Sequence, residues 1–561
     1  MDRQMFLAIA LSMLVMVGYY MLVPQPQAPP PRSKPVEEAA KGPAPAPLLP
    51  GAPAPAPARR ETPAAPSRAI TVETPLYTAT VDTRGGVLTG LMLKHYQRSK
   101  ASIDWGDVIP PLRRWIGKAH VESGLLEMVP RVPGGTDPLA FSAAGQDALT
   151  RAFQEGVYAS EGEPVRWATG DLKPATLTLT AKGPNGLTVR KLVSFHPDSY
   201  VLDYEVQMIN YGASPQPIQA VNGFGQGPAV TAQSDGQTHH GPIYREGGKV
   251  RTKDVSDVKE GLLVKEPQWA GISGAYFLSA VAALTPVEAA RYTVIPPAKD
   301  GENGTARYSM VLAPVNLEPG KMVSSKFKLY LGPKSTVDME KFGHRLDDSL
   351  DLTLDFLAAP MLAMLRWFNS FLHNYGLAII LLTIVVRVVL FPLTYKGMVS
   401  MKRMQKLQPK MTSLRERFKD DRERMNREVM ELYRRHKVNP LSGCLPILLQ
   451  IPIFFALYSA LMGAIELRHS PFAGWITDLS QHDGLYILPL LMGASMFVQQ
   501  KLTPSSLDPT QAKIMLWMPI VFTMFMFNFP AGLTLYWFTS NLLSIAQQAI
   551  INRVQVPEFA D

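Results

Sequence analysis

The stretch Asn374-Tyr-Gly-Leu-Ala-Ile-Ile-Leu-Leu-Thr-Ile-Val-Val-Arg387-Val-Val-Leu-Phe-Pro-Leu-Thr394 holds one cation in an otherwise apolar run. It is long enough to cross a bilayer, which takes about 20 residues. A charge at the centre of such a helix costs about 2.5–3.5 kcal/mol on translocon scales, so it faces a protein interior or a water-filled cavity. The chemistry open to Arg387 is therefore attraction of an anion where screening is weaker than in bulk water. Thr383 lies four residues earlier, on the same helical face. The later apolar segments add Gln450, Gln499, Gln500, Ser540, Asn541, Gln547 and Gln548. Polar groups near span ends cost little, and mid-span ones bond neighbouring helices. No acidic residue sits in the core of the last five apolar segments, whereas a proton relay or ion-coupled transporter carries one. An arginine without a carboxylate partner predicts a hydrated recess lined by Arg387 and several amides, open on the cytoplasmic side. The pattern itself does not separate a recess from a pore or a sealed core.

Other chemistries find little support. There is no Gly-x4-Gly-Lys-Ser/Thr phosphate loop and no Cys/His pattern of zinc spacing, and His239-His240 reads as a loop rather than a metal site. Cys444 is the only cysteine, so an exported domain must fold on its core alone. A length of 561 residues predicts two or more domains. The formal charge of +9 matters less than where the charge lies.

The elements that must position the arginine follow in chain order. Residues 1–23 contain an unbroken apolar stretch running straight into Pro24, which favours a transmembrane anchor over a cleaved signal peptide. Residues 24–68 hold 15 of the 49 prolines and predict an extended tether. Residues 69–341 read as β: Ala175 to Ala181 alternates, Lys182-Gly-Pro-Asn-Gly186 supplies a turn, Leu187 to Phe195 answers it, and Tyr200 to Met208 continues. Strands without intervening helical patterns predict a large antiparallel sandwich, and no catalytic constellation stands out in it.

Residues 350–372 predict an amphipathic helix lying in the membrane interface, with Leu357, Met361, Met364, Phe368 and Phe371 on one face. After the span at 375–395, residues 396–438 are basic: from Tyr395 to Lys437 there are fourteen Lys/Arg against six Asp/Glu. Two apolar stripes, from Met404 to Phe418 and from Met425 to Leu432, predict a helical hairpin, with Pro409 kinking the first arm and Asp420 with Glu423 as a capping box. Its charge suits ribosomal RNA or anionic lipid. Further spans are expected at 441–464, 484–500, 514–529 and 533–551, six in all. Placing the basic hairpin in the cytoplasm puts both termini inside and the β domain outside.

The segment Asn439-Pro-Leu-Ser-Gly-Cys-Leu-Pro-Ile-Leu-Leu-Gln-Ile-Pro-Ile-Phe-Phe-Ala-Leu-Tyr458 closely resembles the signature of the YidC/Oxa/Alb family of membrane-protein insertases. Arg387 with Phe391-Pro-Leu393, Leu407-Gln-Pro-Lys410, Phe529-Pro-Ala-Gly532 and Leu535-Tyr-Trp-Phe-Thr-Ser-Asn541 fit the same family in the same order. The anchor, tether and β region are similar to its Gram-negative, six-span form. The resemblance implies an α-helical polytopic membrane protein, five of its six transmembrane helices forming the insertase core. To this it adds a periplasmic all-β supersandwich of the galactose-mutarotase type, carried over as fold and not as sugar chemistry.

It further implies an inner-membrane insertase and foldase, not an enzyme, without cofactor. It would act on nascent membrane proteins alone or beside the Sec translocon, as a functional monomer, meeting ribosome and signal-recognition-particle receptor through the 396–438 hairpin. Many members end in a strongly basic tail, whereas this sequence stops at Arg553-Val-Gln-Val-Pro-Glu-Phe-Ala-Asp561, which shifts ribosome contact toward the hairpin. The groove arginine corresponds to Arg387, groove-lining positions to Thr383, Gln450, Gln500, Tyr536, Trp537 and Asn541, and the apolar substrate path to Ile451, Phe454 and Phe525. The rival readings are a membrane-anchored carbohydrate-binding or mutarotase-like enzyme, and a transporter or channel.

Overall fold

Alternation in Leu187–Phe195 turns Leu187, Val189, Val193 and Phe195 inward, and its antiparallel partner Ala175–Lys182 adds Leu177, Leu179 and Ala181 to the same face. Between them the turn Pro184–Gly186 needs left-handed backbone at Asn185 (φ 55°) and Gly186 (φ 76°), which these two residue types tolerate best. The computed structural model describes residues 66–553 except 99–104, 109–123, 133–134, 162–172, 227–240, 297–303, 351, 353, 419–420, 437–444 and 503–508. The expected anchor, nearly all of the tether, His239-His240, Asp420, residues 439–444 of the signature and residues 554–561 lie outside the described residues.

Among the described residues the β region forms four antiparallel sheets. The largest runs in the order Lys249–Thr252, Gly241–Glu246, Trp269–Ser273, Phe277–Ala283, Met322–Pro333, Val201–Asn210, Leu187–Phe195, Ala175–Lys182, Ala159–Glu161. A five-stranded sheet has the order Leu262–Lys265, Ala289–Ile295, Thr305–Val311, Ala220–Gly225, Ala140–Ala143. Rings from both meet in the core: Tyr204 and Phe327 of the large sheet contact Phe224 of the smaller one at 6.3 and 5.3 Å between centroids. Each such pair adds about 0.5–1.5 kcal/mol beyond its burial.

Lys191 breaks the alternation. It sits on the inward face, fully buried, and its ammonium donates to the carbonyls of Gly85 (2.7 Å), Gly86 (3.0 Å) and Leu139 (2.6 Å) while lying 4.7 Å from the Tyr158 ring centroid. Burial pushes its pKa down to about 7.

The helices of seven or more residues among the described residues are α1 (Asp147–Glu155), α2 (Thr336–Phe342), α3 (Asp355–Leu372), α4 (Tyr375–Lys406), α5 (Gln408–Arg417), α6 (Arg422–Arg435), α7 (Leu445–Gly463), α8 (Ile487–Leu502), α9 (Pro509–Met526) and α10 (Ala531–Arg553). Asn374 caps α4 by accepting from Leu377 N–H at 3.1 Å, and its amide donates to Phe472 O at 2.8 Å. Among the described residues α4 alone is long and apolar enough to cross a membrane by length and composition, and Gln450–Gly463 and Trp517–Met526 are shorter apolar stretches.

Several expectations change in detail. The helix that carries the span expected at 375–395 runs on to Lys406, because nothing between Tyr395 and Lys406 breaks it. Pro409 does not kink the next helix but opens α5, at a position where its missing N–H costs nothing. The cap of α6 is Asp421, accepting from Arg424 N–H at 2.9 Å, not the expected Asp420. On α3 the buried face is Ala358, Met361, Leu362, Leu365 and Phe368, whereas the expected Phe371 is exposed together with Phe356 and Trp367. This helix is apolar on two sides, one packed and one open.

Ile465, just beyond α7, joins the β-domain core. Arg468 donates to Gln97 O and Arg98 O, both at 2.7 Å, and Trp105 Nε1 donates to Leu485 O at 3.0 Å. Arg366 of α3 pairs with Glu466 at 3.0 Å and donates to Thr336 Oγ1 at the start of α2.

Candidate functional site: a polar seam beneath a ring of aromatics

Arg387 stands midway along α4, against α10. Its Nε donates to Ser540 Oγ at 3.1 Å and its Nη2 shares that acceptor. Among the described residues the guanidinium makes no other hydrogen bond and no carboxylate pairs with it. It is partly exposed, whereas Ser540 is buried. A cation with one neutral oxygen partner keeps N–H donors for a visiting anion.

Seven residues on along both helices, Gln547 donates to Thr394 Oγ1 at 2.9 Å. Further along, Lys402 donates to Ile551 O at 3.2 Å and Asn552 O at 2.9 Å, meeting the unpaired carbonyls at the end of α10. The same order of contacts along both helices means that α4 and α10 run parallel, with a polar seam at heptad spacing.

The residues expected to line a groove divide. Gln450 on α7 donates to the Tyr536 hydroxyl on α10, one turn from Ser540, so Arg387, Gln450 and Tyr536 form one polar level. Thr383 is fully buried, its hydroxyl donating back to Ile379 O at 2.7 Å, and Asn541 is buried with its amide donating to Ser495 Oγ on α8 at 3.0 Å. Thr383 thus bonds its own helix and Asn541 ties α10 to α8, and neither hydrogen-bonds the arginine. Gln500 lies partly exposed near the end of α8.

Trp537 lies beside the polar level in an aromatic group. Its ring is 5.0 Å from Phe454 on α7 and 4.5 Å from Phe522 on α9. Phe525 is 4.7 Å from Phe529, and Ile451 is exposed on α7. Reasoning from sequence named Ser540 only as a polar residue and missed Phe522, Phe529 and Tyr458. For Ser540 the available signal was its place one turn from Tyr536. For the rings it was the aromatic spacing of three and four from Phe522 through Phe525 to Phe529.

Comparison with known proteins follows this division of the chain. Residues 138–364 match the family model described as YidC periplasmic domain, and residues 367–558 match the one described as 60Kd inner membrane protein. The membrane protein insertase YidC of Geotalea daltonii is 37% identical over 99% of this chain and 99% of its own. That of Pelobacter propionicus is 38% identical, also over 99% of each. A crystal structure of an active YidC insertase with its first transmembrane domain resolved is 18% identical, covering 87% of this chain and 93% of that one, with a TM-score of 0.36. With full-length relatives at this identity, the chain belongs to the YidC family of membrane protein insertases, inner-membrane proteins with a periplasmic all-β domain and a helical core.

Proposed function

We propose that the chain inserts membrane proteins through a hydrated recess at the level of Arg387, Gln450 and Tyr536, open to the cytoplasmic leaflet. Six spans carry it: the residues 1–23 anchor, then α4, α7, α8, α9 and α10, with both termini in the cytoplasm. The observation that carries this reading is Arg387 held by Ser540 without an acid partner. An acidic outer segment of a client is drawn part-way across toward that charge, where the field is less screened than in water. The client's apolar segment then leaves along Ile451, Phe454 and Phe525 into lipid, driven by about 25 cal/mol per Å² of apolar surface removed from water.

The chain hydrolyses no nucleotide in this scheme. The open apolar side of α3, with Phe356, Trp367 and Phe371, lies in the membrane interface. The basic hairpin, residues 396–438, meets the ribosome, the signal-recognition-particle receptor and anionic lipid, and the monomer works alone or with the Sec translocon. The carbohydrate-enzyme reading is not favoured, because the relatives that span the whole chain are named insertases. The test is photocrosslinking from positions 450 and 525 to a ribosome-stalled membrane protein. Crosslinks at both are expected as the client's first span emerges, and their absence at both contradicts the route.

A further inference from the structure

Beside α2 the β domain holds a cavity of about 370 Å³, within the range of about 300–1,000 Å³ usual for small-ligand sites. His196, Asp198, Ser199, Asp203, Lys328 and Lys341 line it. Its wall is tied in place from several sides. The Tyr77 hydroxyl donates to His196 O at 3.4 Å, Lys341 Nζ to Asp198 O at 2.6 Å, and Val201 N–H to the buried Ser199 Oγ at 3.2 Å. Lys328 stands opposite Asp203 in the ladder between Met322–Pro333 and Val201–Asn210, yet its ammonium reaches Phe342 O at the end of α2, at 3.4 Å.

The cavity thus carries two ammonium groups and two carboxylates, and among the described residues no ion pair joins a lysine to an acid there. His196 Nε2 occupies one oxygen of Asp203 at 2.8 Å, which leaves Oδ1 for a ligand. That hydrogen bond, with Lys328 nearby, holds the Asp203 carboxyl below its ordinary value, so it is ionised. A simple anion entering here would be repelled by the two acids, and a simple cation by the two lysines. A ligand bearing both charges a few bonds apart satisfies both halves. Phosphate offers three acceptor oxygens to the lysines, and a primary ammonium offers three donors to the acids. The cavity also stands close to α3: Thr336, at the start of α2, accepts from Arg366, and Lys341 is five residues on, about 7.5 Å along the helix.

We propose that this cavity binds a phosphate ester bearing a primary ammonium, of the phosphoethanolamine class, as a lipid headgroup or as a free molecule. Lys328 and Lys341 hold the phosphate, and Asp198 and Asp203 hold the ammonium. The lipid source rests on the interfacial placement of α3 given above, and a headgroup seated here fastens the β domain to the outer leaflet. The free source does not depend on that placement.

Equilibrium dialysis of the full-length protein in phospholipid-free detergent against phosphoethanolamine tests the chemistry. Saturable binding of one molecule per chain is expected, with ethanolamine and inorganic phosphate each at least about tenfold weaker. Lys328→Gln combined with Lys341→Gln should weaken binding about tenfold, and so should Asp203→Asn alone. Thermal unfolding checks that each variant folds, and Asp198→Asn, at an exposed position, gives the same readout if Asp203→Asn does not. Nanodiscs separate the sources. Loss of phosphoethanolamine uptake in phosphatidylethanolamine but not in phosphatidylglycerol identifies the headgroup as occupant, whereas equal uptake in both identifies the free zwitterion and leaves the site standing without the interfacial placement. Absence of saturable binding in detergent, or binding that neither the lysine nor the aspartate substitutions weaken, would overturn the site.

Discussion

Arg387 and Lys191 each meet neutral oxygens rather than a carboxylate among the described residues, and their surroundings give them opposite roles. Arg387 leans on one neutral hydroxyl and stays partly exposed. Ser540→Ala should therefore slow insertion of acid-tailed clients while Ser540→Thr restores it, and equal rates for all three proteins in reconstituted vesicles would show that the hydroxyl does not aim the charge. Lys191 is saturated by three backbone carbonyls and holds the turn at Gly85-Gly86 to the sheet. Lys191→Met strands those acceptors and should cost about 1–3 kcal/mol in denaturant unfolding. Its pKa lies near 7 when folded against the usual 10.5, so between these values the unfolded chain binds more protons. The stability it contributes is lowest below about pH 7 and rises with pH across that window. Wild type should gain more than Lys191→Met between pH 7 and 9, and identical slopes would contradict the assignment. Arg387 was legible in the sequence because a charge in an apolar run has few explanations. The pairing with Ser540 was not, since it depends on which helices lie side by side. Lys191 was legible in principle, as the one polar residue at an inward position of Leu187–Phe195.

At the scale of elements, the parallel pair α4 and α10 is joined by Arg387–Ser540, Thr394–Gln547 and Lys402 on the last carbonyls of α10. Interhelical bonds of this kind average about 0.6 kcal/mol in membranes. A double-mutant cycle of Thr394→Val and Gln547→Leu should give a coupling of about that size, and a coupling of zero would mean the bond does not form in the bilayer. Periodicity exposed the helices from α3 onward but placed ends poorly, and it passed over α1 and α2, which are too short to show a clear period within the β region. The continuation of α4 to Lys406 and the start of α5 at Gln408 depend on backbone bonds that hydropathy does not report. On α3 both sides are apolar, so spacing alone did not choose which one the core would cover. Strand pairing around Lys182–Gly186 was readable because an Asn-Gly turn between alternating runs leaves one simple register.

For the whole molecule, the β domain is bound to the outer end of the helical core. Ile465 enters its core, Arg468 bonds Gln97 O and Arg98 O, and Arg366 connects α3 to Glu466 and Thr336. Removing residues 69–337 should leave insertion largely intact, because the residues of the proposed recess stand on α4, α7 and α10. The same deletion strips partners from Ile465, Arg468 and Arg366, so it should lower the unfolding temperature of the helical core. Loss of insertion with an unchanged unfolding temperature would place the working site in the β domain instead. None of these connections was visible in the sequence, because each joins residues more than a hundred positions apart or depends on a loop conformation.

The most direct measurement compares two clients that share one apolar segment and differ only in whether the outer segment is acidic or neutral. With Arg387→Ala, folded and present at wild-type level in the membrane, the acidic client should fail to insert while the neutral one still inserts. Equal insertion of both would contradict a recess that works through the charge of Arg387.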